Sequence, residues 1–174
     1  MQDDHDLFIE FYEKYKNKLF NYLMYRLNFN RELSEDLLMD VVLKGYEKFN
    51  SFNQKKGSFK NWIFAIAHNH LLNHWRDQNK KKTVDIETVQ LNEKFAVEER
   101  SSEKANKEIE REHIQKVFEL MNDKNSELLT LKYINDFNNK EIAKILKKRE
   151  GAVRTGLSRA VKEFEELYKK LFNN

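Results

Sequence analysis

Cysteine and proline are both absent from this chain of 174 residues, and glycine occurs only at Gly45, Gly57, Gly151 and Gly156. Without cysteine there is no disulfide and no thiolate-bound metal, and a reducing cytoplasm is the expected compartment. Without proline, and with so few glycines, the chain lacks the turn signals of a β protein, and strict apolar–polar alternation is nowhere sustained. No apolar run approaches the roughly 20 residues of a membrane span, so no membrane partner is expected. The opening MQDDHDLF is acidic where a targeting segment would be basic. What is left is an all-α chain, with 40% hydrophobic residues for a core and 35% charged residues for a heavily solvated surface.

The formal net charge of +3 is small, but its distribution is uneven. Residues 1–51 carry −3, residues 52–82 carry +6, residues 83–112 carry −4 and residues 113–174 carry +4. Two positive blocks separated by an acidic one point to a polyanion touched at two places.

Leu7, Phe8, Phe11, Tyr15, Leu19, Tyr22, Leu23 and Leu27 recur at helical spacing, which predicts a first helix with one buried face. A second helix should begin near Arg31 to Ser34 and pack with Leu33, Leu37, Leu38, Val41, Val42 and Phe49. The polar NSFNQKKGS reads as a loop, with Ser58 placed to cap the helix that follows. From about residue 83 to 104 apolar residues are scattered and the charge is negative, so this stretch reads as a flexible linker. The expected organisation is therefore a first domain over 1–82, a linker over 83–104 and a second domain over 105–174.

The helix within KKGSFKNWIFAIAHNHLLNHWRDQNKKK has more apolar residues than one face can hold. Phe64, Ala67, Leu71 and Trp75, with Leu72 alongside, form a continuous core stripe. Trp62, Ile66, Asn69, Asn73 and Arg76 run along another side, with Ile63 and His70 at its margins. An aromatic beside amides and lysines suits unpaired DNA, because stacking captures a base, amides read its edge and lysines hold phosphates. The competing reading is that Trp62 packs under the first helix and the lysines merely solvate loop ends.

Near the C-terminus, Asn138 and Glu141 have capping-box spacing. Ala143 is small where two helices would cross, and Ile142, Ile145 and Leu146 should face inward. After the turn LKKREG, Val153, Leu157, Val161 and Phe164 mark the buried stripe of a last helix, with Arg149, Arg154, Thr155, Ser158, Arg159 and Lys162 opposite. That pattern fits a helix-turn-helix entering a major groove, or equally a helical hairpin with a solvated basic face. His70 and His74 are four apart and could share a metal, together with His68 and Glu47. The match to a zinc hydrolase motif is poor, so no metal is expected. No nucleophile, phosphate loop or paired-carboxylate pocket stands out, so neither catalysis nor a cofactor is expected.

Residues 8–82 resemble the second conserved region of bacterial sigma factors of the extracytoplasmic-function group. FYEKYKNKLFNYLMYRL is similar to that group's opening helix, SEDLLMDVVLKGYEKFNSF to the helix that grips core RNA polymerase, and GSFKNWIFAIAHNHLLNHWRDQNKK to the promoter-melting helix. Residues 113–172 resemble the fourth region, with LLTLKYINDFNNKEIAKIL and EGAVRTGLSRAVKEF matching its helix-turn-helix. The resemblance implies that Asp36, Leu37, Asp40 and Val41 dock on the clamp coiled coil of the polymerase, whose flap is a further contact. It implies that Asn53, Lys55, Lys56, Ser58 and Lys60 belong to the loop and helix start that hold a flipped −10 base. Trp62, Ile66, Asn69, His70, Asn73 and Arg76 would separate and read the −10 element. Arg149, Ala152, Arg154, Thr155, Ser158 and Arg159 would read the −35 element.

Some positions depart from the family pattern. Met39 stands where glutamine is frequent, and Ala65 and His68 stand where basic residues are common. Gly156 replaces a usual arginine, and the turn lacks an early glycine. These departures predict weak −35 reading and dependence on a recruiting protein, beside any anti-sigma partner. Rival expectations are a helix-turn-helix regulator that ignores polymerase, which would not need Asp36 and Asp40, and a protein-binding helical adaptor, which would leave the +6 block unexplained.

Overall fold

The computed structural model describes residues 4–82 and 102–172. Among the described residues the chain forms α1 (Asp4–Arg26), α2 (Arg31–Lys48), α3 (Phe59–Lys82), α4 (Ser102–Leu120), α5 (Asp123–Leu129), α6 (Asn139–Ile145) and α7 (Glu150–Phe172), and no strand. A 3₁₀ turn (Phe49–Ser51) ends α2, and a π turn (Thr130–Ile134) follows α5. The expected linker, 83–104, lies outside the described residues except at its end, where residues 102–104 are already helical. No helix among the described residues is long and apolar enough to cross a membrane.

The first lobe is α1 to α3. Asn28 and Phe29 adopt the left-handed conformation (φ 50° and 59°), which reverses the chain after α1. Asn30 then caps α2 by accepting from the Leu33 amide at 3.0 Å. Phe8, Leu19 and Leu23 of α1 meet Leu37 and Val41 of α2 and Ile63 and Leu71 of α3, all buried. Gly45 permits this packing: a Cβ there would fall 2.7 Å from Ile63 Cδ1 and 3.4 Å from a Phe8 ring carbon.

The second lobe is α4 to α7. Phe118 on α4 meets Phe164 on α7 at 5.9 Å, and His113 stacks on Phe172 at 3.7 Å. Asn122 caps α5, and Asn138 and Glu141 form the expected capping box at the start of α6. Ile142, Ala143, Ile145 and Leu146 face inward, as do Val153, Leu157 and Ala160 of α7.

The two lobes also pack directly on one another. The ring of Phe137 lies 4.8 Å from that of Phe64, which also meets Tyr22 of its own lobe at 5.4 Å, and Tyr25 meets Phe118 at 4.9 Å. The Phe64 side of α3, assigned from periodicity to the first lobe's own core, is therefore shared with the second lobe. The physical reason is tertiary: Phe64 meets Tyr22 of α1 and also the ring of Phe137, which a distant stretch of the chain brings to it.

Candidate nucleic-acid interface

The helical period sorts the expected docking residues on α2 into two sets. Asp36, Met39, Asp40 and Leu43 project outward, and Met39 and Leu43 are 70% and 58% exposed. Leu37 and Val41 are buried and offer no surface to a partner, which corrects the expectation for those two. They fix α2 on the core so that the acidic and apolar outer residues are presented.

Asp40 does not stand alone. Its Oδ2 lies 3.1 Å from His70 Nε2, while Lys44 Nζ approaches His70 Nδ1 at 2.5 Å. Burial, then the adjacent Lys44 charge, push the His70 imidazole below its ordinary pKa although Asp40 pulls it up. A neutral ring fits both contacts, with Lys44 donating to Nδ1 and the Nε2 proton donated to Asp40. Both ring nitrogens of His70, expected to read DNA, are thus engaged. Below them an open groove of about 640 Å³ is lined by Asp40, Lys44, His70, Asn73, His74, Arg76, Asp77 and Gln78.

The loop before α3 is ordered by short local bonds. Asn53 Oδ1 accepts from the Lys55 amide at 2.9 Å, and Ser58 Oγ caps α3 by accepting from the Asn61 amide at 3.2 Å. Between this loop and α1 lies a recess of about 310 Å³ lined by Phe11, Lys14, Tyr15, Phe52, Gln54, Gly57, Ser58 and Phe59. The α1 wall of Phe11, Lys14 and Tyr15 was not among the expected site residues, since periodicity assigns Phe11 and Tyr15 to the core. Asn53, Lys55 and Lys56 are exposed at the loop itself.

On α3 the expected reading face is only partly free. Asn69, Asn73 and Arg76 are exposed, with Arg76 donating to Asn73 Oδ1 at 3.0 Å and Asn69 donating to the Ala65 carbonyl at 2.7 Å. Trp62 is half-buried, with Phe52, Phe59 and Phe49 at 5.2, 5.5 and 6.3 Å, and Ile66 is half-buried as well. Trp62 is therefore part of an aromatic nest and not a free stacking platform, because the turn after α2 brings Phe49 and Phe52 against it. Ile63, placed at a margin from the wheel, is core, and Leu72, placed in the core stripe, is 47% exposed. His68, which stands where basic residues are common in the family, is buried against Glu127. Lys60 is half-buried against the second lobe.

The helix-turn-helix presents Ala152, Arg154, Thr155, Ser158 and Arg159 on the exposed side of α7, with Arg149 exposed just before it. Lys147 takes the left-handed position of the turn (φ 52°) that glycine would fill more easily. Gly156 faces α5, where a Cβ would come 2.6 Å from Leu128 Cδ1. A side chain there would have to displace the end of Leu128, so Gly156 is a close-packing position. Among the described residues no group of three or more histidine, aspartate or glutamate side chains is placed to hold a metal.

Residues 11–81 match the family model of Sigma-70 region 2, and residues 111–164 match that of Sigma-70, region 4. The extracytoplasmic-function (ECF) RNA polymerase sigma factor SigM of Bacillus subtilis is 26% identical over 165 residues, covering 95% of this chain and 97% of SigM. The ECF RNA polymerase sigma factor BldN of Streptomyces coelicolor is 22% identical over 162 residues, or 93% of this chain; the chain spans 60% of BldN's length. Among solved structures, the sigma factor RpoE in complex with the anti-sigma factor NepR from Bartonella quintana shares the fold with a TM-score of 0.68 at 20% identity, over 92% of this chain and 97% of that one. CnrH, in complex with the cytosolic domain of CnrY, does so with a TM-score of 0.67 at 15% identity, over 94% and 88%. With region 2 in its first lobe and region 4 in its second, the chain belongs to the extracytoplasmic-function group of the sigma factor family.

Proposed function

We propose that this protein binds core RNA polymerase and directs it to promoters, docking through the outer face of α2, opening and reading the −10 element with α3 and its preceding loop, and reading the −35 element with α7. The observation that carries the reading is the outer face of α2. Asp36, Met39, Asp40 and Leu43 form an exposed acidic and apolar strip, which a regulator that only bound DNA would have no use for. It sits beside the groove of Lys44, Asn73, His74 and Arg76, so a docked polymerase and a bound strand would be neighbours.

The −10 step requires bases to leave the stack, at a cost of a few kcal/mol recovered in a pocket. The recess between Tyr15, Phe11 and the Gly57–Ser58 turn has aromatic walls and a lysine at its rim, which suits a flipped base and its phosphate. Asn69, Asn73 and Arg76 supply polar contacts along the strand, and Lys55 and Lys56 supply charge. On α7, Arg154 and Arg159 with Thr155 and Ser158, and Arg149 just before it, suit the base edges and phosphates of a major groove. RpoE is in complex with an anti-sigma factor and CnrH with the cytosolic domain of CnrY in their solved structures, and an anti-sigma or recruiting partner belongs to the same reading here. Polymerisation itself would remain with the core enzyme, and the site of action would be the cytoplasm.

The test is co-purification with core polymerase, wild type beside the double variant Asp36→Lys/Asp40→Lys. The expected result is a stoichiometric complex for the wild type, loss of it for the variant, and retained DNA binding in both. If neither binds polymerase while both bind DNA, the protein is a helix-turn-helix regulator. Strong transcription by purified protein and core alone from a promoter with both elements would remove the need for a recruiting protein.

A further inference from the structure

His70 lies on α3, and both nitrogens of its ring are engaged by α2, through Lys44 and Asp40, which are 26 and 30 positions away in sequence. His68, two residues earlier and so turned about 200° around the helix, faces the seam between the lobes, where Glu127 meets it at 2.7 Å. His70 faces the opposite way, toward the helix proposed to dock on polymerase. The Asp40 side chain is 60% exposed, whereas the His70 side chain it meets is only 12% exposed. A carboxylate that would otherwise turn freely in water is thus tied from behind to a nearly buried ring.

The tie takes one carboxylate oxygen, Oδ2, and leaves Oδ1 able to accept from a cationic group arriving from outside. Holding the side chain in one rotamer beforehand removes an ordering cost that a free aspartate would incur on docking. Lys44 completes the arrangement. By donating to Nδ1 it selects the tautomer whose proton sits on Nε2, the atom that meets Asp40.

The charged groups around the ring are few. Asp40 and Lys44 face it from α2, and His74, Arg76 and Asp77 share its groove from α3; among the described residues these two helices alone line that groove. Burial, then Lys44, hold the ring below its ordinary pKa, with His74 adding to them and Asp40 opposing, so the ring is neutral at pH 7. A second proton would put an N–H at Nδ1 against the Lys44 ammonium. It would also turn the Asp40 contact into an ion pair that cancels the aspartate's charge. Docking that uses that charge is therefore complete above the ring's pKa and falls as pH drops through it.

We propose that His70 is a positioning residue for polymerase docking: its neutral ring, oriented by Lys44, holds the Asp40 carboxylate on the outer face of α2, and protonation of the ring neutralises that carboxylate. The inference rests on the proposed docking through α2, and it assigns to that contact a residue of α3 that the helical wheel had placed on DNA.

The experiment is a titration of dye-labelled full chain with core RNA polymerase, read by anisotropy, at steps from pH 7.5 to pH 5.5. His70→Leu keeps neither bond, whereas His70→Gln keeps a donor for Asp40 and does not ionise. At pH 7.5 His70→Leu should bind about tenfold more weakly than wild type, the worth of one hydrogen bond to a charged group, and His70→Gln should restore most of that affinity. As pH falls, wild type should lose affinity relative to His70→Gln, and Lys44→Met should move that loss to higher pH. With Asp40→Asn already in place, His70→Leu should weaken binding no further. Equal affinity of His70→Leu and wild type would overturn the proposal. So would parallel pH profiles of wild type and His70→Gln, a comparison that decides the matter even if His70→Leu folds poorly. A His70→Leu loss that persists in full beside Asp40→Asn would reduce His70 to a packing residue of α3. If wild type binds polymerase and Asp40→Asn binds equally well, the positioning role falls while docking through the rest of the α2 face stands. If wild type does not bind polymerase at all, the docking reading falls and takes this inference with it.

Discussion

Glu127 keeps its charge in a place that disfavours one. Burial pushes its carboxyl up, yet the hydrogen bond from His68, the Arg26 charge and the Tyr22 hydroxyl outweigh that and hold it below the usual carboxylate value. Burial, then the Glu127 charge, raise Tyr22 well above the ordinary phenol, so its hydroxyl stays protonated and can donate. The sign of the linkage follows. A carboxylate whose folded pKa is depressed stabilises the fold above its unfolded value, near 4.5, and that stabilisation is lost as pH falls through the folded value. Glu127→Gln, which leaves Arg26 buried without its countercharge, should cost about 3 kcal/mol at pH 7. The difference from wild type should shrink in denaturant titrations stepped from pH 5 to pH 3; a difference independent of pH would contradict this account. Nothing in NSELLTL marks this glutamate as buried, because its partners lie 105 and 59 residues away in sequence. His68 and His70 are similarly unreadable: two residues apart on one helix, one is locked into the seam and the other into a chain between Lys44 and Asp40.

The elements themselves were legible, because capping and periodicity are local. The Asn138–Glu141 box is present with both of its bonds, 3.0 Å from the Glu141 amide to Asn138 Oδ1 and 2.9 Å from the Asn138 amide to Glu141 Oε2. α6 is only seven residues long, too short to persist on propensity alone. Asn138→Ala should therefore cost about 1 kcal/mol and, on the proposed reading of α7, weaken binding to −35 DNA by misplacing that helix. Asn138→Asp should restore both melting temperature and binding, and an alanine variant that melts like wild type would show the box to be incidental. α3 is the element on which the wheel misled. Its apolar residues do fall on several sides, but Trp62 is taken up by Phe49, Phe52 and Phe59, and Phe64 by Tyr22 and Phe137. The spare hydrophobicity is spent first on an aromatic nest and on the other lobe.

For the whole molecule, the joined lobes make a thermodynamic statement. Two small domains on a tether would melt separately, whereas domains sharing Phe64, Phe137 and the Glu127 cluster should melt together. Calorimetry of the wild type at low salt is expected to give one transition. Glu127→Lys, which places a second positive charge beside Arg26, is expected to split it in two. A single unchanged transition in that variant would mean that the apolar contacts hold the lobes together unaided. The two basic blocks, carrying +6 and +4, lie one in each lobe, so a polyanion spanning both lobes would meet both.

Helix positions, caps and the outward face of α7 follow from spacing over a few residues, and the chain alone carries that information. The fate of each polar or aromatic side chain on a crowded helix does not, since it depends on which distant group arrives within about 3 Å of it. Only the packed structure decides that Leu37 and Val41 are buried beneath the outer face of α2, that Gly156 admits Leu128, and that Lys60 faces the second lobe. Periodicity reports how much of a helix must be covered; tertiary contact decides what covers it.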